Sequence, residues 1–179
     1  KKELFINETF DTNTDTELLF KLFEKYGTSI VNKLKGIFSI VFINLNTGNI
    51  FCIRDFTGTK PLYFSQNYNS FFFSSEAWYL YSLSKKKINE KVKKFFFNFG
   101  FTKEEQTLID NVNKVAPRQI LNFDIDKNNY KKIIYLQLEK AKKDLLPPQE
   151  EINNSITKII KNNLISDTKV GTFLSGGLD

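Results

Sequence analysis

Residues 37–54 read Ile-Phe-Ser-Ile-Val-Phe-Ile-Asn-Leu-Asn-Thr-Gly-Asn-Ile-Phe-Cys-Ile-Arg, and this stretch decides the fold. Residues 37–45 are rich in Ile, Val and Phe, which are enriched in strands. Residues 46–49 (Asn-Thr-Gly-Asn) are typical of a turn, and residues 50–54 form the return strand of a hairpin. Apolar residues occupy both strand faces at 40–43, whereas a sheet with one solvated face would alternate more cleanly. The hairpin therefore predicts a sheet that is covered on both sides.

Further elements flank this hairpin. Residues 14–17 (Thr-Asp-Thr-Glu) predict a capping box, with Thr14 as the cap and Glu17 reaching back, and an apolar stripe then runs to Gly27. The remaining pattern predicts a short helix over 29–35, a hairpin over 61–65 and 70–74, a helix over 89–97, extended chain over 107–123, a strand over 130–136, a helix over 150–164 and a short strand over 170–174. Residues 137–148 are charged and end in Pro-Pro, which is typical of a linker.

Two regions follow from this pattern. Residues 1–146 are predicted to form a mixed, mainly antiparallel domain of helices and sheets. Residues 147–179 begin the helix, strand and loop that are typical of an α/β nucleotide-binding domain.

Composition narrows the possible functions. The chain has 179 residues, of which 41% are hydrophobic and 19 are Phe, so a packed core is expected. The net charge of +6 comes almost entirely from Lys, since Arg54 and Arg118 are the only arginines. The lysines are spread along the chain, whereas nucleic-acid readers cluster basic residues on one face. We therefore expect no nucleic-acid partner.

Some residue types are rare or missing. Cys52 is the only cysteine, which excludes an internal disulfide and fits a cytoplasmic protein. No apolar run is long enough to span a bilayer, so no membrane association is expected. The absence of His excludes a Ser-His-Asp or Cys-His pair and a His-based metal site within the chain. The chain begins at Lys1 and contains no Met, so we expect a piece of a longer protein.

The last residues, 174–179 (Leu-Ser-Gly-Gly-Leu-Asp), carry the sharpest local motif. Glycines let a backbone approach a phosphate closely, the amides of a following helix face the anion, and a serine hydroxyl adds a donor. An acidic residue just after them could hold Mg²⁺. A strand-to-helix turn that merely needs glycine explains the same pair equally well.

Four segments together resemble glutamine-dependent asparagine synthetases. Residues 166–179 resemble the start of the family's synthetase domain, where a Ser-Asp and a Val-Gly precede a Ser-Gly-Gly-Leu-Asp pyrophosphate loop. Residues 54–63 (Arg-Asp-Phe-Thr-Gly-Thr-Lys-Pro-Leu-Tyr) are similar to the family's Arg-Asp-x-x-Gly-x-Lys-Pro-Leu-Tyr segment. Residues 73–77 and 34–39 are similar to its Phe-Ala-Ser-Glu and Leu-x-Gly-x-Phe-Ala segments. The order and spacing of these segments make the resemblance specific.

The resemblance implies a fold and an activity. The fold would be the Ntn-hydrolase-type αββα sandwich of a class II glutamine amidotransferase domain, here incomplete. It would be followed by the first helix and strand of a pyrophosphate-loop α/β domain. The parent would be a ligase that transfers ammonia from glutamine to an ATP-activated aspartate, with Mg²⁺ beside ATP, and a homodimer is compatible with it. By similarity, the residues that hold ATP would be Leu174, Ser175, Gly176, Gly177 and Asp179.

The resemblance also assigns Asp15 to glutamine, whose α-ammonium would pair with this carboxylate. An acidic first-turn residue favoured by the helix dipole is the structural alternative. For Arg54, Asp55 and Lys60 we prefer a structural role, in which they fix loop geometry. Residues 75–76 (Ser-Glu) are interpreted as a helix cap and Cys52 as a buried thiol.

Several departures from the family matter. Its glutaminase uses an N-terminal cysteine, and the family's arginine and Asn-Gly segments precede the position of Lys1, so no catalytic residue is assigned within this chain. Residues 116–118 (Ala-Pro-Arg) replace the usual Pro-Pro-Gly. Two other functions remain open: an asparagine-synthetase-like amidotransferase that acts on another carboxylate, and a catalytically inactive scaffold.

The missing nucleophile gives a first prediction. Residues 1–179, purified and incubated with glutamine, should release no glutamate above a blank without protein, because the attacking thiolate and its amine base are absent. A coupled glutamate assay measures this, and turnover well above the blank would show that the nucleophile has been misassigned.

Overall fold

The computed structural model describes residues 10–12, 14–68, 70–83, 87–138, 147–164, 166 and 168–177. Its helices and strands are, in chain order, α1 (Asp15–Tyr26), a 3₁₀ helix (Gly27–Lys33), β1 (Ser39–Asn44), β2 (Asn49–Arg54), β3 (Tyr63–Asn67), β4 (Ser70–Ser74), α2 (Ala77–Tyr81), α3 (Glu90–Phe99), β5 (Asn113–Lys114), β6 (Gln119–Asp124), β7 (Asn129–Ile134) and α4 (Gln149–Asn163).

The strands form two antiparallel sheets. A four-stranded sheet has the order β1-β2-β6-β7, and a three-stranded sheet has the order β4-β3-β5. Val41 pairs with Cys52, and Cys52 pairs in turn with Leu121, so the predicted hairpin continues into the centre of the larger sheet. Both predicted hairpins are confirmed, with strand ends that differ by a few residues.

Both faces of the four-stranded sheet are covered. One face packs on α1 and the 3₁₀ helix through a cluster of Leu22, Phe23, Ile30, Val31, Ile53 and Ile120. The other face meets the smaller sheet through Cys52, Leu62, Phe64, Val115, Leu121 and Phe123. Because neighbouring strand residues point to opposite faces, Cys52 and Ile53 belong to different clusters although both are completely buried. The prediction of a doubly covered sheet is confirmed, and α2 packs against β3 and β4 of the second sheet.

Cys52 lies at the centre of this sandwich. It is a free thiol with no exposed surface, and burial raises its pKa to about 12. The thiolate is the reactive form of cysteine, so Cys52 is an inert packing residue, as the sequence predicted.

The start of α1 is more elaborate than a capping box. The Thr14 hydroxyl accepts a hydrogen bond from the Glu17 amide at 3.5 Å, as predicted. The Glu17 carboxylate, however, reaches past Thr14 and accepts the amides of Asp11 at 2.9 Å and Thr12 at 2.7 Å, and the Thr12 hydroxyl at 2.7 Å. It therefore ties the incoming chain to the helix instead of capping the Thr14 amide.

Other local predictions need correction. The short helix α2 was not predicted, and neither Ser75 nor Glu76 caps it through a side chain; the Glu76 amide instead donates to the Ser74 hydroxyl at 3.1 Å. The predicted extended chain over 107–123 contains only β5 and β6, because Asn111 (φ 58°) and Arg118 (φ 60°) take left-handed backbone conformations that interrupt a strand.

The C-terminal part agrees only partly with the sequence analysis. Helix α4 is confirmed, but none of its residues is buried, and its apolar face carries Ile156, Ile159 and Ile160, each about half exposed. The strand predicted over 170–174 is wrong, since these residues lie outside regular secondary structure. A strand needs a neighbour for its backbone hydrogen bonds, and none of the described strands pairs with this segment. The predicted linker falls largely on residues 139–146, which lie outside the described residues.

In the described part of the chain, each helix is too short or too polar to cross a membrane.

The Glu17 contacts predict a pH-dependent contribution to stability. Hydrogen bonds from the Thr12 hydroxyl and the Asp11 amide lower the pKa of Glu17 from 4.5 to about 2 in the folded chain. A lowered folded pKa stabilises the protein above the unfolded value, and this stabilisation is lost as the pH falls through the folded value. Glu17→Gln should therefore lower the free energy of unfolding at pH 7, and the difference should fade between pH 4.5 and about 2. Urea denaturation across this range measures it.

Glu24→Gln is the matched control, because Glu24 is an exposed carboxylate on the same helix. A Glu17→Gln protein that is as stable as the Glu24→Gln protein at pH 7 would contradict the assigned role.

Candidate functional site

A cavity of about 290 Å³ lies beside the first turn of α1. Asp15 lines it together with apolar side chains of the same helix and residues 34–38, which lead into β1; the full lining is Asp15, Leu18, Leu19, Leu22, Leu34, Lys35, Gly36, Ile37, Phe38 and Ile40. Asp15 is the first residue of α1, where the helix dipole favours a carboxylate. Its side chain is exposed and so is accessible to a ligand.

The cavity joins two segments that are far apart in sequence. Asp15 and residues 34–39 were singled out separately by the family resemblance, and the packing of α1 on the larger sheet brings them to one cavity. Gly36 has a φ of 125°, a conformation that residues with a side chain rarely adopt, and this explains the glycine at the cavity wall. Lys35 also lines the cavity, and no role was predicted for it. The resemblance of residues 34–39 to a segment of the family was the sequence signal that could have pointed to Lys35.

Arg54 and Asp55 lie in a dense hydrogen-bond network at the end of β2. The Asp55 side chain is completely buried. Its Oδ1 accepts the amides of Thr57 at 3.1 Å and Thr59 at 3.0 Å and the Thr57 hydroxyl at 3.0 Å, while Oδ2 accepts the Lys60 amide at 3.0 Å. Burial alone would raise the pKa of Asp55, but these hydrogen bonds outweigh it and the pKa is lowered. Asp55 is therefore an ionised carboxylate, and both of its oxygens accept hydrogen bonds from the loop of residues 57–60.

Arg54 completes this loop from the other side. Its guanidinium donates to the carbonyls of Lys60 at 2.8 Å, Val115 at 2.7 Å and Gly58 at 2.5 Å. Gly58 has a φ of 69°, and a Cβ there would lie 2.7 Å from Cγ of Pro117 and 3.2 Å from the Arg54 guanidinium. The loop thus needs glycine for both conformation and space. These contacts support the structural role that was preferred for Arg54 and Asp55.

Arg118 stands where the family usually has glycine, and its backbone conformation was not predicted from the sequence. It has a φ of 60°, and its guanidinium lies 5.8 Å from the centre of the Phe56 ring. Its amide donates to the Asp55 carbonyl at 3.1 Å. The family's glycine at this position was the signal, because glycine marks positions with positive φ.

The predicted ATP-binding residues that the structure describes belong to no helix or strand. Leu174, Ser175, Gly176 and Gly177 are all exposed, and Asp179 lies outside the described residues. Gly176 has a φ of 76°, and the Ser175 hydroxyl accepts the Gly177 amide at 3.3 Å. Such a turn has the backbone freedom and the hydroxyl group that an anion loop uses. The assignment to ATP stays a prediction.

Among the described residues, no group of three or more Cys, Asp or Glu side chains is placed to hold a metal ion.

The fold and these segments define a class of protein. Two antiparallel sheets packed together, with α1 on one of them and α2 against the other, agree with the Ntn-type architecture that the resemblance implied. The family model for the glutamine amidotransferase domain matches residues 1–135, and the chain belongs to this family.

Individual relatives of the chain carry more specific names than the family model. A protein of Methanocaldococcus jannaschii, provisionally named asparagine synthetase [glutamine-hydrolyzing] 2, is 36% identical over 99% of this chain and 36% of its own length. Asparagine synthetase [glutamine-hydrolyzing] 1 of Bacillus subtilis is 30% identical over 96% of this chain and 27% of its own length. The predicted resemblance is confirmed, and the chain spans about a third or less of these relatives. Amidase chry2 of Gibberella zeae is also similar, at 25% identity over 100% of this chain and 27% of its own length.

The Asp55 network predicts a large effect of a small substitution. Asp55→Asn replaces one carboxylate oxygen with an NH₂ group, which would face an amide donor inside the protein. Hydrogen bonds to charged groups contribute about 1.5–3 kcal/mol, so we expect the free energy of unfolding to fall by roughly 2–3 kcal/mol. Chemical denaturation at pH 7 measures the change.

Asp126→Asn makes the same chemical change at an exposed turn and should shift the free energy of unfolding by less than about 0.5 kcal/mol. Equal stabilities for the two variants would contradict the structural importance of Asp55.

Proposed function

We propose that this chain is the C-terminal part of the glutaminase domain of a glutamine-hydrolysing asparagine synthetase, with the beginning of its synthetase domain. The observation that carries the proposal is the similarity over 99% and 96% of the chain to proteins with that name. In this assignment residues 1–146 belong to the glutaminase domain and residues 147–179 begin the ATP-dependent domain. The protein would be a cytoplasmic ligase whose substrates are glutamine, aspartate and ATP.

Asp15 would position glutamine. A carboxylate at the wall of a largely apolar cavity can pair with the α-ammonium of an amino acid, while the apolar side chains restrict competing water. Asp15 lies in the first turn of α1, where the positive end of the helix dipole favours a carboxylate. The exposed Asp15 side chain is therefore ready to bind a cation.

Residues 174–177 would contact the phosphates of ATP. The Ser175 hydroxyl and the amides around Gly176 and Gly177 are donors of the kind that bind a pyrophosphate, and by similarity Asp179 would belong to the same ATP-binding loop. ATP would activate the acceptor carboxylate, and Mg²⁺ would balance the charge of the departing pyrophosphate. Residues 174–177 would hold and orient the phosphates.

One comparison supports a second candidate function, with an acceptor other than aspartate. The similarity to Amidase chry2 covers 100% of this chain, and the name of that protein is not that of a synthetase. The same two-domain arrangement would then serve an amidotransferase that acts on another carboxylate. Assaying the full-length protein with ATP and aspartate, and following asparagine and AMP, distinguishes the two candidates, since only the first yields asparagine.

Asp15 provides a prediction for the full-length protein. Asp15→Asn should raise KM for glutamine on the order of 10- to 100-fold, because a charge-assisted hydrogen bond contributes about 1.5–3 kcal/mol. Asparagine formation from ammonia should be unchanged, since ammonia bypasses the glutamine site. Steady-state kinetics with each nitrogen source measure both values.

The structural alternative makes a different prediction. If Asp15 only stabilises α1 by its interaction with the helix dipole, Asp15→Asn should lower the free energy of unfolding slightly and leave KM for glutamine at the wild-type value. Glu24→Gln on the same helix is the control and should leave both activities unchanged.

A further inference from the structure

Arg118 combines two features that each lower the stability of the folded chain. Its φ of 60° lies in the left-handed region, which residues with a side chain rarely adopt. Its Nε atom is buried, and within the described residues this atom has no hydrogen-bond partner. Buried polar groups in folded proteins are normally hydrogen-bonded, so each exception needs an explanation. Arg118 therefore indicates an acceptor that the described part of the chain does not supply.

The residue type at this position adds to the argument. Residues 116–118 read Ala-Pro-Arg where the family usually has Pro-Pro-Gly. Glycine adopts a φ of 60° without strain, so arginine replaces a residue that fits this backbone better. Strained backbone conformations are concentrated at sites where the residue has a function. The strain thus favours a role for the guanidinium that relatives with glycine at this position do not share.

The carboxylate of Asp55 does not fill this role. The Arg118 amide donates to the Asp55 carbonyl at 3.1 Å, so the two residues are neighbours. Both carboxylate oxygens of Asp55, however, accept hydrogen bonds from the loop of residues 57–60. None of the ion pairs among the described residues includes Arg118. Its positive charge is therefore not balanced by a carboxylate within the described part of the chain.

The Phe56 ring holds the guanidinium in place. The guanidinium carbon of Arg118 lies 5.8 Å from the centre of this ring, which is within the range of a cation–π interaction. Phe56 is 45% exposed and Arg118 is partly exposed, so the ring and the cation reach the surface together. The planar fork of N–H donors in arginine matches the two oxygens of a carboxylate. The pair has the chemistry of an anchor for a carboxylate side chain.

The polypeptide also leaves the sandwich beside Arg118. The Tyr135 amide donates to the Arg118 carbonyl at 3.0 Å, one residue after the end of β7. The chain then continues towards residues 147–179, which were assigned above to the beginning of the ATP-dependent domain. The connection between the two proposed domains therefore starts next to the unbalanced cation.

We infer that Arg118 forms an ion pair with an Asp or Glu side chain of the ATP-dependent domain. The inference rests on the proposed function, in which residues 147–179 begin that domain, and the chain spans only 36% and 27% of the length of its relatives. The ion pair gives the guanidinium an acceptor and offsets the strained backbone of Arg118. It also fixes the second domain against the loop of Arg54 and Asp55.

Thermal unfolding of the full-length protein tests the inference through the sign of one shift. Arg118→Gly removes both the backbone strain and the guanidinium. Because the ion pair is lost, Tm should fall by about 3 °C or more, and the fall should be larger at low salt, where charges are screened less. Asn111→Gly is the matched control: Asn111 is exposed and has a φ of 58°, so glycine relieves a similar strain and Tm should not fall. An Arg118→Gly protein that is as stable as the wild type, or more stable, would overturn the inference.

A zero-length cross-link identifies the partner. Arg118→Lys keeps the charge and supplies a primary amine, which a carbodiimide couples to a carboxylate in direct contact. Mass spectrometry of the digested full-length protein should find position 118 linked to an Asp or Glu beyond residue 146. The pair of Lys127 and Asp124, 2.6 Å apart, is the positive control. A link from position 118 to a residue within 1–146, a link between two molecules, or no link while the control pair reacts would overturn the inference.

Neither measurement involves glutamine or ATP. A failure of the inferred ion pair would therefore leave the proposed activity intact, and a failure of the activity would leave the two readouts interpretable.

Discussion

The buried carboxylate of Asp55 connects the two sheets of this domain. It follows the last residue of β2 in the larger sheet and accepts the amides of the loop that leads to β3 in the smaller sheet. Arg54 holds the same loop through its carbonyls and also reaches the Val115 carbonyl, just before the segment that returns to β6. The Tyr135 hydroxyl donates to the Arg54 carbonyl at 2.9 Å, so the end of β7 is attached to this point as well. Because the cluster between the sheets depends on how the two sheets face each other, this loop supports the packing of one sheet on the other.

The site depends on the same arrangement. Asp15 lines a cavity with residues 34–38 only because α1 packs on the larger sheet through Leu22 and Phe23. The sheet is in turn fixed against the smaller sheet by the loop of Arg54 and Asp55. A substitution in this loop would therefore change the cavity proposed for glutamine without any contact with it, so binding and stability are best measured separately.

The sequence predicted the hairpins and the Thr14 cap of α1, because these features are local. The cap expected at residues 75–76 was wrong, and the cap that Asn89 provides for α3 was not predicted. Features that depend on distant partners were not predictable. The Glu17 contacts with Asp11 and Thr12 require a particular path of the incoming chain, and the strand over 170–174 failed because no described strand pairs with it. The candidate site was similar: the resemblance identified Asp15, but only the fold showed that residues 34–38 share its cavity.

The proposed function requires that the amide nitrogen of glutamine be transferred to aspartate. The full-length protein should be incubated with glutamine labelled with ¹⁵N at the amide, together with aspartate, ATP and Mg²⁺, and the products followed by mass spectrometry. We expect ¹⁵N in the side-chain amide of asparagine, with equal amounts of glutamate and AMP. Glutamate release with unlabelled aspartate remaining and no asparagine formed would contradict it.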